Sequence, residues 1–600
     1  MDDTLERLTR RLPAWAQGRQ ARLTLAAGAL AVVVLVLAVS CLGGAGGEAD
    51  VPVAEASADA GVDGVRAPSD ERGGTLRVVA PAPDSLDPQR SYLPGVWNLM
   101  RLYTRTLVTY SPEPGRTDEL VPDLATDTGT RSADGLTWTF TLREGVRFET
   151  GRPITSRDVK YGIERSFAAE SIVGGPTYVV DLLDDPGNPY AGPYQDEGPD
   201  QPGLASVETP DDRTIVFRLR APSDLLPYVL ALPSSSPVPV EADRRGDYAV
   251  DPVSSGPYAI TSADANTIRL DRNPEWDPAT DDVRTALPDS VVVRTGLSGV
   301  ERDQALLAGS ADVDISGSGA QAPTAARLEG EDGEELRARV DDVTTGALRL
   351  LALPTDVAPF GEPACRAAVA AAVDRRAVQD ALGGAGNAVR TSRLWTRALG
   401  GGPEEEDTGP DLEAARRHLE ECGQPDGFAT VLAVPDAPAG VAVADVVAGQ
   451  LAEVGIEVEV RPLDVATFYA TEVGDPGRVA AAGYGIVLAT TTPDFPTPAS
   501  LLAPLVDGRS IRYVGNTNYA RLDDPAIEDL VDAARAAPDG EASREAWAAV
   551  AAAAQETHGY VPLAESRVQL VAGQRLRNGV VMRPYTGYDL ATAGVGGGVG

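Results

Sequence analysis

Histidine is nearly missing from this 600-residue chain: there are two, His418 and His558. That shortage excludes multi-histidine metal centres and leaves little room for histidine-based acid–base catalysis. Nickel is a poor candidate ligand for the same reason. Cysteine is almost as scarce, with Cys41, Cys365 and Cys422 only, too few for a disulfide framework. Lys160 is the only lysine among 52 cationic Lys and Arg residues, against 89 Asp and Glu. The resulting net charge of −37 removes nucleic acid and anionic membrane surfaces as partners. The sequence also contains no G-x-S-x-G, no H-E-x-x-H and no Walker phosphate loop, so any ATP hydrolysis belongs to another polypeptide. With so many acids, a pair of carboxylates alone says nothing about glycoside hydrolysis. No cofactor and no metal are expected.

What is present begins with a basic start, residues 1–22, carrying Arg7, Arg10, Arg11, Arg19 and Arg22. No charged residue follows until Glu48, and Leu23–Leu42 is apolar enough to span a bilayer, which takes about 20 residues. The arginines place residues 1–22 in the cytoplasm and the bulk of the chain outside it. Residues 23–41 read as a signal or anchor segment, and Cys41, after Ala38-Val39-Ser40, resembles a lipoprotein cleavage box. Either a lipid on Cys41 or an uncleaved helix would fix the chain to the outer face of the membrane. Residues 42–73 form a Gly/Ala/Asp/Glu linker whose roughly 32 residues reach about 30 Å as a coil.

Length implies about three to five domains. The most informative stretch is Asp134–Phe167. It opens on an Asp-Gly turn and alternates Trp138, Phe140 and Leu142 against Thr137, Thr139 and Thr141, a half-buried strand. Thr155 with Asp158 makes a capping box for a helix that buries Val159, Ile163 and Phe167. Elsewhere, apolar periodicity predicts helices over Val96–Val108 and Pro363–Gly383 and a strand over Thr214–Arg220. From Thr345 on, strands alternate with helices, as in an α/β lobe.

Asp134–Phe167, together with LVPDLATD (120–127), SSGPYAI (254–260) and NTIRLDRNPEWD (266–277), closely resembles the family 5 extracellular solute-binding proteins of ABC importers, the oligopeptide- and dipeptide-binding class. The resemblance covers about Gly74 to Gly594. It implies an α/β, bilobal periplasmic-binding-protein-like fold of type II, with an extra domain inserted in the first lobe. On that pattern lobe I comprises 74–115, 206–344 and 564–600, the inserted domain 116–205, and lobe II 345–563. It also implies a function: a peptide or other amine-bearing solute held in an interlobe cleft and delivered to ABC permease subunits served by separate ATPase subunits. No reaction is expected of the chain. A ligand sensor anchored through the same fold is the alternative reading, and an extracellular hydrolase a further one.

Within the resemblance, TTTPDFPTPASLL (490–502) matches the segment whose aspartate meets a peptide's α-amino group, and Asp494 takes that place. Thr491 stands where relatives usually carry tryptophan, and Phe495 follows the aspartate. Asp84, Ser85, Ser255, Tyr258, Asn516 and Asn518 lie on predicted loops at strand ends, where ligands of α/β domains sit. The same residue types also build turns. Trp138 and Phe140 are assigned to the core. Cys365 and Cys422, about 57 residues apart, would form a disulfide outside the cytoplasm, closing a loop worth roughly 4 kcal/mol at most. A zinc site with His418, one turn from Cys422, is the rival pairing.

Overall fold

The computed structural model describes residues 57–183, 187–195, 203–330, 333–401, 409–513, 515–537 and 540–596. The basic start, the apolar segment, Cys41 and most of the linker lie outside the described residues. No helix among the described residues is long and apolar enough to cross a membrane.

Two sheets carry the molecule. In lobe I, Thr75–Val79 lies between Val313–Asp314 and Ser290–Arg294, parallel to both, and the hairpin Tyr258–Ala263/Thr267–Arg272 extends the far edge. Lobe II has six strands in the order Ala388–Arg390, Tyr560–Val571, Val340–Ala352, Tyr484–Thr491, Ala429–Pro435, Glu457–Leu463. Both faces of this second sheet are covered. Leu348, Leu350, Val487 and Ala489 point into one apolar cluster, and Leu351, Leu353, Ile486 and Leu488 into another. Strands buried on both sides read as continuous apolar runs, which is what Tyr484–Thr491 is.

Val340–Ala352 and Tyr560–Val571 pair antiparallel along their length and run from one lobe into the other. Their ladder slips between Thr344 and Leu348, where Gly346 takes the left-handed region at φ 78°. An extra stretch on one strand bends it and frees its backbone from pairing. The register slip falls where the chain passes between lobes.

The inserted domain is built around Thr137–Thr141, with Trp138 and Phe140 buried as expected. Thr214–Arg218 pairs with it throughout and sends Ile215 and Phe217 into the same core. That sheet therefore runs past residue 205, and Thr214–Arg218 does not belong to the lobe I sheet. The helix Ser156–Arg165 starts on the capping box, with Asp158 accepting from the Thr155 N–H at 2.8 Å.

Two predicted helices are shorter than their periodicity. The first spans only Pro94–Met100, because the Tyr103 carbonyl is taken by the N–H groups of Ser255 and Gly256 at 2.9 and 3.1 Å. The second breaks at Val373, which is extended, and Asp374 caps a new helix by accepting from Arg376 N–H at 2.8 Å.

Candidate functional site

The loop after Thr75–Val79 is organised by Asp84. Its carboxylate accepts from Ser85 N–H (2.9 Å), Ser91 Oγ (2.8 Å) and Tyr92 N–H (2.5 Å), which sets Tyr92 at the loop's outer edge. Deeper in the same loop, buried Asp87 takes both arms of Arg165 at 2.9 and 2.8 Å. Arg165 comes from the inserted domain's capped helix, is itself fully buried, and lies 4.6 Å from the Tyr248 ring centre. Burial alone would weaken the guanidinium's hold on its proton, but Asp87 and Asp243 together keep its pKa above the ordinary value. The loop is thereby fixed to the inserted domain by a bidentate charged pair.

From lobe II, the strand Tyr484–Thr491 runs into a turn held by Ser500, whose hydroxyl donates to the Phe495 carbonyl at 2.6 Å. This turn reaches side chains from distant parts of the chain. Phe495, 3% exposed, lies 5.0 Å from the ring of Tyr178 and 6.2 Å from that of Tyr228, measured between ring centres. Its neighbours are therefore side chains of the other half of the molecule. Asp494 stands beside it, close enough to the hydroxyls of Tyr92 and Tyr178 to perturb both, and those two hydroxyls touch each other. The two tyrosine rings lie 6.3 Å apart, and Trp97 braces Tyr92 edge-on at 5.8 Å.

Asp494 is an exposed residue, although the neighbouring side chains take part of the water from its carboxyl. Burial pushes its pKa up, and the two hydroxyls pull it part of the way back. The tyrosines respond in kind: burial first, then the charge of Asp494, raises both Tyr92 and Tyr178 above the usual phenol range. No cation among the described residues pairs with this carboxylate. The result is an anionic centre walled by aromatic rings.

Of the other sequence candidates, Thr491 closes the strand opposite Leu348 and sits at the start of the turn. Asp84 and Ser85 build the Tyr92 loop, Ser85 Oγ accepting from Asp87 N–H at 3.0 Å. The remaining four are buried and hydrogen-bonded to backbone. Ser255 is buried with its Oγ accepting from Arg105 N–H (2.9 Å), and Tyr258 is buried with its hydroxyl donating to the Pro288 carbonyl (2.7 Å). Asn516 and Asn518 are buried too, donating to the Asn518 and Leu522 carbonyls, both at 2.8 Å. Each is buried and holds backbone in place in this structure. Tyr92, Tyr178 and Tyr228 were not foreseen from the sequence.

Cys365 and Cys422 are joined as a disulfide, with Cα atoms 5.3 Å apart. His418 Nδ1 instead meets Glu421 at 2.8 Å, and no group of metal-binding side chains occurs among the described residues. The zinc reading therefore falls.

Residues 119–513 match the family described as bacterial extracellular solute-binding proteins, family 5 (middle region). This chain belongs to that family, and the two-lobed α/β fold with its cleft is the family's architecture. A solved structure titled clavulanic acid biosynthesis oligopeptide binding protein 2 is similar at 40% identity and TM-score 0.85, covering 90% of this chain and 99% of that one. Protein XP55 of Streptomyces lividans is 28% identical over 470 residues, 74% of this chain and 75% of its own length. Heme-binding protein A of Haemophilus influenzae is 24% identical over 482 residues, 76% of this chain and 81% of its own.

Proposed function

We propose that the chain is the extracytoplasmic subunit of an ABC importer that takes a peptide or another amine-bearing solute between its lobes and hands it to a membrane permease. The chain makes and breaks no bond in this role. The segment at 23–41, with lipid on Cys41 or as an intact helix, tethers it to the outer face of the membrane.

One observation carries the reading. The carboxylate of Asp494 lies near the hydroxyls of Tyr92 and Tyr178 and pairs with no cation among the described residues. A ligand ammonium placed there, in a site from which closing lobes exclude water, gains an interaction of about 2–5 kcal/mol. The aromatic walls favour the same charge, since ring faces attract cations. The similarity to an oligopeptide-binding structure over nine-tenths of the chain supports peptides as the solute class.

The test is titration calorimetry of the full chain with tripeptides bearing a free amino terminus and with their N-acetylated forms. Acetylation and Asp494→Asn should each weaken binding by about thirtyfold or more. Equal affinity for free and acetylated peptides, or unchanged affinity in the variant, would refute the assignment.

A further inference from the structure

Residues 57–73, which composition assigns to the end of a coil, are folded against the body of the molecule. The short helix Ala60–Asp63 and the residues after it lie on the root of the crossing strand Val340–Ala352. Gly61 N–H and Arg66 Nε donate to the two oxygens of Asp341 at 2.7 and 2.9 Å. Asp59 N–H donates to the Val340 carbonyl at 2.9 Å, and Asp342 N–H donates to Asp59 Oδ1 at 2.7 Å. Arg66 and Asp341 are 3% and 0% exposed, and the Tyr588 hydroxyl donates to the same carboxylate. Arg66 also pairs antiparallel with Gly579, its N–H donating at 2.8 Å and its carbonyl accepting at 3.0 Å. Such a buried pair holds its geometry, because parting it leaves an uncompensated charge.

The gripped strand joins two cores. Val340 lies in one apolar cluster with Val79 and Leu306 of lobe I, whereas Leu348 and Leu350 lie in a lobe II cluster. From Leu348 to Ala352 the strand is paired on both sides, with Tyr484–Thr491 and with Tyr560–Val571. Between the gripped root and this doubly paired end, Thr345, Gly346 and Ala347 stand outside both ladders.

We propose that residues 57–66 act as a strap that makes Val340–Asp342 a rigid root and so confines changes in the angle between the lobes to Thr345–Ala347. Hinge motions are absorbed by a few residues at element ends, and a firm hold on either side of a short unpaired stretch selects which ones. Val62 of the strap borders a cavity of about 140 Å³ together with Thr344, Arg397, Ala398, Val581 and Arg583, so the strap meets residues of both lobes. The fit is close: a Cβ on Gly61 would stand 2.9 Å from Asp341 Oδ2 and 3.1 Å from the Gly579 carbonyl oxygen.

The experiment uses the full chain and its Asp59→Ala and Gly61→Val variants, with no solute present, so its outcome is separate from that of the Asp494 reading. The first change removes the acceptor for Asp342 N–H, and the second crowds the helix away from Asp341. Both spare the buried Arg66–Asp341 pair, and melting curves check that each variant folds. Amide exchange read by mass spectrometry should quicken about tenfold or more across Val340–Thr344, as suits the loss of a charge-assisted hydrogen bond, while Thr137–Thr141 in the inserted domain keeps its rate. Small-angle X-ray scattering should show a larger radius of gyration, since Phe495 already rests on Tyr178 and newly reached arrangements are wider ones. Unchanged exchange across Val340–Thr344, or an equal rise in Thr137–Thr141, would overturn the proposal. Faster exchange with an unchanged radius of gyration would overturn it too, because the lobes would then keep their angle without the strap.

Discussion

The rings of Phe495 and Tyr178 meet edge-on with their centres 5.0 Å apart, one on a lobe II turn and the other on a short helix of the inserted domain. The charge of Asp494, the residue before Phe495, reaches the Tyr178 hydroxyl. Phe495 also lies against Tyr228, so aromatic contacts join this turn to the other half of the molecule. An ammonium placed at Asp494 would compete with the Tyr178 hydroxyl for the carboxylate.

Tyr178→Phe keeps the ring and deletes the donor. The solute-free chain should then favour a more open arrangement, seen as a larger radius of gyration by small-angle X-ray scattering. An unchanged value with and without the hydroxyl would show that the contact does not hold the lobes.

Binding of an amine probe should weaken on acidification sooner than an ordinary carboxylate would dictate. Asp494 has its pKa raised by burial, above the usual value of about 4. As pH falls through that raised pKa the carboxylate is neutralised and the attraction disappears. Calorimetry from pH 7 down to pH 4 should show the loss, and Asp494→Asn should show none.

Arg165→Met should be severe. It leaves Asp87 buried with its charged partner removed, which typically costs about 3–5 kcal/mol. Urea unfolding should reveal the loss. Amine affinity should fall as well, because the Tyr92 loop loses its tie to the inserted domain.

His558 provides a second pH dependence, in stability. Its folded-state pKa is lowered, first by burial and then by the nearby charges of His418 and Arg366. The neutral ring is favoured in the folded chain, so stability is full above the unfolded value of about 6.5. It declines as pH drops from there towards the lowered folded pKa, where the unfolded chain binds more protons. Thermal melts between pH 7.5 and 5 should slope accordingly, and His558→Gln should flatten them.

Local patterns in the sequence translated well into local structure. The alternation around Trp138 and Phe140 and the Thr155–Asp158 cap give the strand and helix they imply. Pairing partners were another matter: a period of two assigns a face to Thr214–Arg218 but not the neighbour it pairs with, Thr137–Thr141. The candidate site divides the same way. Asp494 was reached through the motif around it. Tyr92, Tyr178 and Tyr228 come from distant parts of the chain, and no spacing relates them to residue 494. Ser255, Tyr258, Asn516 and Asn518 show the limit of such patterns: a polar residue at a strand end serves a turn as readily as a ligand, and these four are buried.

The slip at Gly346 lies beside the turn that carries Asp494. A Cβ on Gly346 would stand 3.4 Å from Pro493 Cγ and 3.3 Å from Ala398 Cβ. Bulk introduced at position 346, where the backbone is left-handed, would press on Pro493, the residue immediately before Asp494, and so disturb the register slip and the Asp494 turn together.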